Sequence, residues 1–224
     1  MPETISRVPR SKAEAKSSYN QMSRWYDMIS GSSEKKYRDL GLLKLKARSG
    51  EQILEIGYGT GHCILTLAQA VGSSGKVCGV DLSEGMLAIS QKRINEAGLS
   101  ARVDLRVADA VSLPFESNHF DAVFTSFTLE LFDTPEIPLV LKACHNVLRP
   151  GGRIVVVCLA KKSGIAVDIY EWFHKKMPVS VDCRPILAQN DLTGAGFSIR
   201  EVDSLLMWGL PVEIILAEKK ADSV

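Results

Sequence analysis

The sequence predicts an α/β protein built on a doubly wound, mostly parallel sheet. Three observations carry this. Short apolar segments rich in β-branched residues recur from Gln52 onward, each bounded by turn residues. Amphipathic helical stretches separate them, which is the pattern of parallel strands joined by crossover helices. The first strand, Ile53-Leu54-Glu55-Ile56, runs directly into Gly57-Tyr58-Gly59-Thr60-Gly61 and then a helical pattern. Three glycines in five residues remove the Cβ atoms that keep a ligand off the backbone and permit positive φ. The free N–H groups of the next helix then face whatever sits over the turn.

The elements follow in order. Residues 1–16 are polar, rich in Ser, Lys and Glu, and are expected to be frayed. Residues 17–48 read as helical through Met22, Trp25, Tyr26 and Ile29, then Leu40, Leu42, Leu43 and Leu45, with a break at Gly31-Ser32-Ser33. Residues 1–48 are thus expected to form a helical lid on a domain of residues 49–224. Strand 52–56 leads to helix 61–71, and Gly72-Ser73-Ser74-Gly75 turns into strand 76–80. Ser83 is the expected N-cap of a helix to Ala97, with Gly98 at its end. A strand near 102–107, a loop at 109–119 and a strand at 120–126 come next. Helix 135–148 is expected to stop at Pro150-Gly151-Gly152, ahead of strand 153–159. An aromatic-bearing helix at about 164–177 lies in a cap insert near 160–185, and a second helix near 185–194 follows. Runs 198–206 and 212–218, joined by Gly209-Leu210-Pro211, suggest a closing antiparallel hairpin.

Bulk composition narrows the function. A net charge of +1 gives no reason to expect nucleic acid, and the paired lysines are spread along the chain. The five cysteines form no metal-binding spacing, so no metal is expected, and their odd number fits a reduced, cytoplasmic protein. No apolar run approaches the ~20 residues of a spanning helix, so any membrane contact would be peripheral. Oligomeric state leaves no trace in the sequence.

In a doubly wound sheet, ligands bind at the carboxyl ends of the strands near the switch point. Asp81 ends the second strand, twenty residues after Gly61, where a carboxylate can accept from both hydroxyls of a ribose. Its other reading is an acid complementing a helix dipole beside Ser83. Asp109 can accept from an adenine amino group while the Ala110 N–H addresses a ring nitrogen, or Asp109 is a loop cap. Ser126 ends the fourth strand. A dinucleotide fingerprint needs its third glycine at position 62, where His62 stands, and Glu55 places an acid before the glycines. Pyrophosphate disfavours that acid, whereas a sulfonium bearing an α-amino group tolerates it. The turn therefore favours S-adenosylmethionine over a nicotinamide dinucleotide. His62 itself reads as a helix N-terminal residue.

From about residue 17 to 160 the chain resembles a class I S-adenosylmethionine-dependent methyltransferase. It is most similar to the ubiquinone/menaquinone-biosynthesis C-methyltransferase branch. The segments that carry the likeness are Tyr26-Asp27, Leu54 to Gly61, Val80 to Leu87, Asp109-Ala110 with Leu113-Pro114-Phe115, Phe120-Asp121-Ala122 and Leu148 to Arg153. The resemblance implies a Rossmann-like sheet of seven strands whose last is antiparallel. It places Thr60, Asp81, Asp109, Ala110 and Ser126 on the cofactor. Glu55, Gly57, Gly59 and Gly61 of the turn, with Leu82 and Met86 of the next motif, complete the expected cofactor set.

Two departures bear on the acceptor. Tyr58 stands where the family often has a small residue or Cys, and Glu130 stands where quinone-ring enzymes of the branch usually carry arginine. Glu130 suits an amine or cationic headgroup, or serves as a base; otherwise it is a solvent-facing loop acid. The candidate acceptor walls are Tyr19, Trp25 and Tyr26 from the first helices and Tyr170, Trp172 and Phe173 from the insert, unless these aromatics are core. His174 is the candidate general base, or a surface residue beside Lys175-Lys176. Asp182 and Arg184 either orient a substrate or form a cap and salt bridge. The expected function is in-line methyl transfer to a small-molecule acceptor (quinone- or phenol-like ring, amine or lipid headgroup), where alignment supplies most of the acceleration. The alternatives are a non-catalytic subunit of the same fold and a dinucleotide oxidoreductase.

Overall fold

A computed structural model describes residues 5, 7, 8, 12–22, 31–162, 164, 167, 170 and 183–221. Two helices, α1 (Lys12–Met22) and α2 (Gly31–Leu45), precede the sheet. Then come β1 (Gln52–Ile56), α3 (His62–Ala70), β2 (Lys76–Asp81), α4 (Glu84–Glu96), β3 (Val103–Val107) and β4 (Phe120–Ser126). The order closes with α5 (Ile137–Val147), β5 (Leu148–Leu159), α6 (Ala188–Gly194), β6 (Phe197–Met207) and β7 (Leu210–Lys219).

The seven strands form one sheet in the order β3-β2-β1-β4-β5-β7-β6. The first five are mutually parallel, and β7 runs antiparallel between β5 and β6. Chain order reverses between β1 and β4, which is the switch point. Apolar runs rather than alternation mark the inner strands because helices cover both faces. Side chains therefore divide by position. Ile53, Phe124, Val155 and Val157 pack with Tyr37 and Leu45 of α2 and Ile64 and Leu67 of α3. Leu54, Ile56, Val123 and Val156 pack with Val140 and Leu141 of α5 and Leu192 of α6.

Local chemistry sets the ends of elements. Ser83 caps α4, its Oγ accepting from Met86 N at 3.1 Å, and Gly98 takes φ +69° just beyond. Gly61, at φ +84°, precedes α3. A Cβ there would stand 2.8 Å from Ser90 Oγ, so this glycine permits the close approach of α4.

Four sequence expectations are corrected. Helix α1 begins at Lys12, inside the stretch expected to fray, because its polar face is matched by an acidic rim described below. Strand β5 begins at Leu148 and absorbs Pro150-Gly151-Gly152 in a register shift against β4. The hairpin turn is Trp208-Gly209, both at positive φ, and Pro211 lies inside β7 rather than in the turn. Glu130, read as a solvent-facing acid or a substrate contact, is fully buried. Of the insert helix expected at 164–177, only residues 164, 167 and 170 are described.

Candidate active site

The carboxyl ends of β1, β2 and β4 open into a cleft of about 1200 Å³, counting its mouth. Its floor is the glycine turn. Gly57 N donates to Val80 O at 2.7 Å and Gly61 N to Tyr58 O at 2.8 Å, so the turn is locked to β2 and to itself. A Cβ on Gly57 would sit 2.3 Å from Thr128 Oγ1, whereas one on Gly59 would meet nothing within 4 Å. Gly59 thus presents bare backbone to open space, as a ligand laid on the turn requires.

Asp81 stands beside it. Its Oδ2 accepts from Gly59 N and its Oδ1 from Ser83 N, each at 3.0 Å. These bonds aim the carboxylate while leaving each oxygen a further lone pair. Burial raises its pKa, and the backbone bonds from Ser83, Gly59 and Leu82 oppose that.

Glu55, at the end of β1, lines the same cleft with Gly57, Gly59 and Thr60. Burial pushes its pKa up to about 8, against the pull of the Arg38 guanidinium, with the Asp81 charge adding to the rise. The Cys63 thiol bonds to it, yet Glu55 Oε2 is buried with no partner. Ser126 Oγ and Tyr58 Oη are buried and unpartnered in the same wall. Buried polar atoms rarely go unmatched. A ligand bringing both a cation and a hydrogen-bonding group would satisfy this wall, and the amino acid end of S-adenosylmethionine does.

Leu82, Met86, Ala110 and Ser126 line the cleft as expected of the motif set. Two expected residues do not. Gly61 faces α4, and Asp109 turns to Lys12, whose Nζ lies 2.5 Å from its Oδ2. Glu130 is also absent from the cleft: its Oε1 accepts from Leu159 N at 2.7 Å and burial lifts its pKa to about 8. Arg184 is fully buried behind the same loop, Nη2 donating to Phe132 O at 2.6 Å, so it does not meet a substrate there. Its charge and that of Glu130 are coupled, which lowers the penalty each suffers on burial. Tyr170 packs on the core beside α2 and the sheet. Tyr19 lies in α1, with its side chain outside what is described; Tyr26, Trp172, His174 and Asp182 lie outside the described residues.

The cleft also contains groups that sequence reasoning missed. Glu34 and Arg38 enter from α2, one helical turn apart, and Phe127, Leu131 and Phe132 form an apolar wall from the loop after β4. The i,i+4 spacing of Glu34 and Arg38 was the available signal, although it is also that of an ordinary surface pair. Among the described residues no group of His, Cys, Asp and Glu is arranged to hold a metal ion, and no helix is long and apolar enough to cross a membrane.

A family model described as a methyltransferase domain matches residues 53–152. The chain is 33% identical over 165 residues to a demethylmenaquinone methyltransferase of Bacillus pumilus, covering 72% of this chain and 67% of that protein. It is 36% identical over 141 residues to the Bacillus velezensis protein of that name, covering 63% of this chain but 57% of the relative. The chain thus spans under two thirds of the length of several curated relatives it matches. Among solved structures, the 4+2 cyclase SpnF superposes with a TM-score of 0.79 at 19% identity over 98% of this chain and 99% of that one. A SAM-dependent methyltransferase from Aquifex aeolicus superposes with a TM-score of 0.69 at 20% identity, over 89% and 98% of the two chains. At such identities these two likenesses speak for the fold. The curated relatives and the glycine-turn site together show that the chain belongs to the class I S-adenosylmethionine-dependent methyltransferases, in the ubiquinone/menaquinone-biosynthesis branch, whose cofactor is S-adenosylmethionine.

Proposed function

We propose that this chain transfers a methyl group from S-adenosylmethionine to a ring carbon of a quinol-type acceptor. The observation that carries the donor half is the wall of unsatisfied buried groups, Glu55 Oε2 and Ser126 Oγ, beside the bare backbone of Gly59 and the aimed carboxylate of Asp81. The acceptor half is supported by curated relatives named demethylmenaquinone methyltransferase. Glu130 no longer weighs against a quinol, because its carboxyl does not reach the cleft.

When bound, S-adenosylmethionine supplies an activated methyl group on a sulfonium. The chain's own residues do the rest. Asp81 receives the ribose hydroxyls through its remaining lone pairs, and Thr60 and the glycine turn carry the backbone contacts. Glu55 faces the α-ammonium, with Arg38 beside it for the α-carboxylate. Ala110, Leu82 and Met86 enclose the adenine side. Phe127, Leu131 and Phe132 offer the acceptor ring an apolar wall that excludes water. Holding the acceptor in line is the main contribution, since the leaving group needs no further activation. His174, outside the described residues, remains the proposed base for an acceptor hydroxyl. All five cysteines are free and four are buried, which supports a reducing, cytoplasmic setting.

Calorimetric titration with S-adenosylmethionine and its demethylated product tests the donor half, and absence of binding by both would overturn it. Transfer of labelled methyl to a reduced demethylated naphthoquinone, compared with simple phenols, amines and phospholipids, tests the acceptor. Preferential transfer to amines would refute the quinol assignment and leave the donor site standing.

A further inference from the structure

Residues 7 and 8 and helix α1 from Lys12 to Asn20 lie at the mouth of the cleft and are held there by charge. Arg7 straddles the Asp133 carboxylate, Nε at 2.8 and 2.9 Å and Nη2 at 2.6 Å, and Val8 N donates to the same group at 3.0 Å. Lys12 Nζ lies 2.5 Å from Asp109 Oδ2 and 2.7 Å from Glu136 Oε1. Lys16 pairs with Glu84, and Asn20 Oδ1 accepts from Ser83 Oγ at 2.6 Å and Gly85 N at 3.0 Å. Lys12, Lys16 and Asn20 are spaced by four, so one face of α1 carries all three contacts. Helix α1 therefore bridges from Glu136, after β4, to the β2–α4 turn, over the cleft that Val8 and Lys12 themselves line.

We propose that Lys12 is the latch of this strap and sets the rate at which donor and product exchange. The inference rests on the cleft being the donor site. Asp109, at the end of β3, is the residue the motif set puts against adenine, and Lys12 reaches it from a segment that sits above the ligand. One ammonium holds two carboxylates there, and Arg7 neutralises a third. Lifting the strap leaves Asp109, Asp133 and Glu136 facing one another at the rim, so like-charge repulsion opposes the open state until a cation returns. A ligand under the strap leaves only when the latch breaks. The partners are part-exposed, with side chains 41%, 34% and 27% accessible for Lys12, Asp109 and Glu136, so salt screens the latch.

The test measures dissociation of S-adenosylmethionine and of its demethylated product by stopped-flow displacement, at 20 mM and 500 mM salt. Wild type should release both ligands several-fold faster at high salt. Lys12→Met should release them about tenfold faster at low salt, with little remaining salt dependence, and Lys12→Arg should restore the wild-type behaviour. A dissociation rate for Lys12→Met within twofold of wild type, whatever its melting temperature, would overturn the latch. So would a wild-type rate indifferent to salt, a result that needs no variant. Failure of wild type to bind either ligand would instead sink the donor-site reading.

Discussion

Donor binding should be linked to a proton on Glu55, and the size of the linkage follows from its burial. In the protein without ligand this carboxyl has its pKa lifted to about 8, so near pH 7 only about a tenth of the molecules carry the carboxylate that an ammonium needs. The donor's α-amino group has a pKa of about 8 as well, by analogy with terminal amines. The competent pair, carboxylate with ammonium, therefore makes up about 1% of the population near pH 6, about 8% near pH 7 and about 25% near pH 8. Affinity should rise about 25-fold from pH 6 to pH 8, or about 2 kcal/mol, peak there and fall at higher pH. Titration calorimetry at half-unit steps, in two buffers of different ionisation enthalpy, reads both the affinity and the proton released. Glu55→Gln should abolish the rise while keeping the fall above pH 8. A wild-type profile flat between pH 6 and 8, or one unchanged in Glu55→Gln, would refute the reasoning.

The other predictions concern the same site and its support. Asp81→Ala should weaken donor binding by about 1.5–3 kcal/mol by removing charge-assisted acceptors. Equilibrium dialysis checks it, and an unchanged affinity would deny Asp81 the ribose. Gly57→Ala should cost about 2 kcal/mol or more in a denaturant titration, since its Cβ would collide with Thr128 at a φ of +73°. Thermal stability without ligand should fall as pH rises. Glu55 and Glu130 keep protons up to about pH 8 when folded but lose them near 4.5 when unfolded. Their contribution is thus complete below pH 4.5 and is lost on the way to 8, at up to about 1.4 kcal/mol per pH unit for each. His145, held below its usual range by burial, has the opposite sign and acts only below about pH 6.5. A pH 6.5–7.5 melting series should therefore slope downward, and Glu130→Gln should halve the slope.

The inner sheet was legible because its signals are local. Apolar runs between turn residues locate β1, β2 and β4 to within a residue, and Ser83 and Gly98 bracket α4 by backbone chemistry that each residue carries itself. Pro150 and Pro211 misled for the converse reason. Each reads as a stop, but at both places the neighbouring strand tolerates a missing N–H, and pairing continues around it. The start of helix α1, residues 12–16, escaped notice because its organising stripe is polar. Lys12, Lys16 and Asn20 have no value as a pattern until Asp109, Glu136, Glu84 and Ser83 are brought beneath them by the fold.

The same distinction explains the site. Residues whose place is set by the tight turn, the glycines and the Asp81 that accepts from Gly59 N, announce themselves in a motif because the turn admits few alternatives. Glu130 and Arg184 do not, because what each does depends on a partner distant in the chain. An acid after β4 looks exposed until Leu159 N, twenty-nine positions later, donates to its Oε1, and an arginine before a helix looks like a substrate hook until Phe132 O takes its Nη2. Burial keeps Glu130 largely protonated near neutral pH, so its carboxyl is held behind the cleft without a full charge. Glu130 and Arg184 brace the loop carrying Leu131 and Phe132, and thereby the apolar wall of the cleft, without entering it. Under the proposed function, acceptor choice would rest on the shape and apolarity of that wall, while the Glu130 charge that the sequence set against a quinol lies behind it.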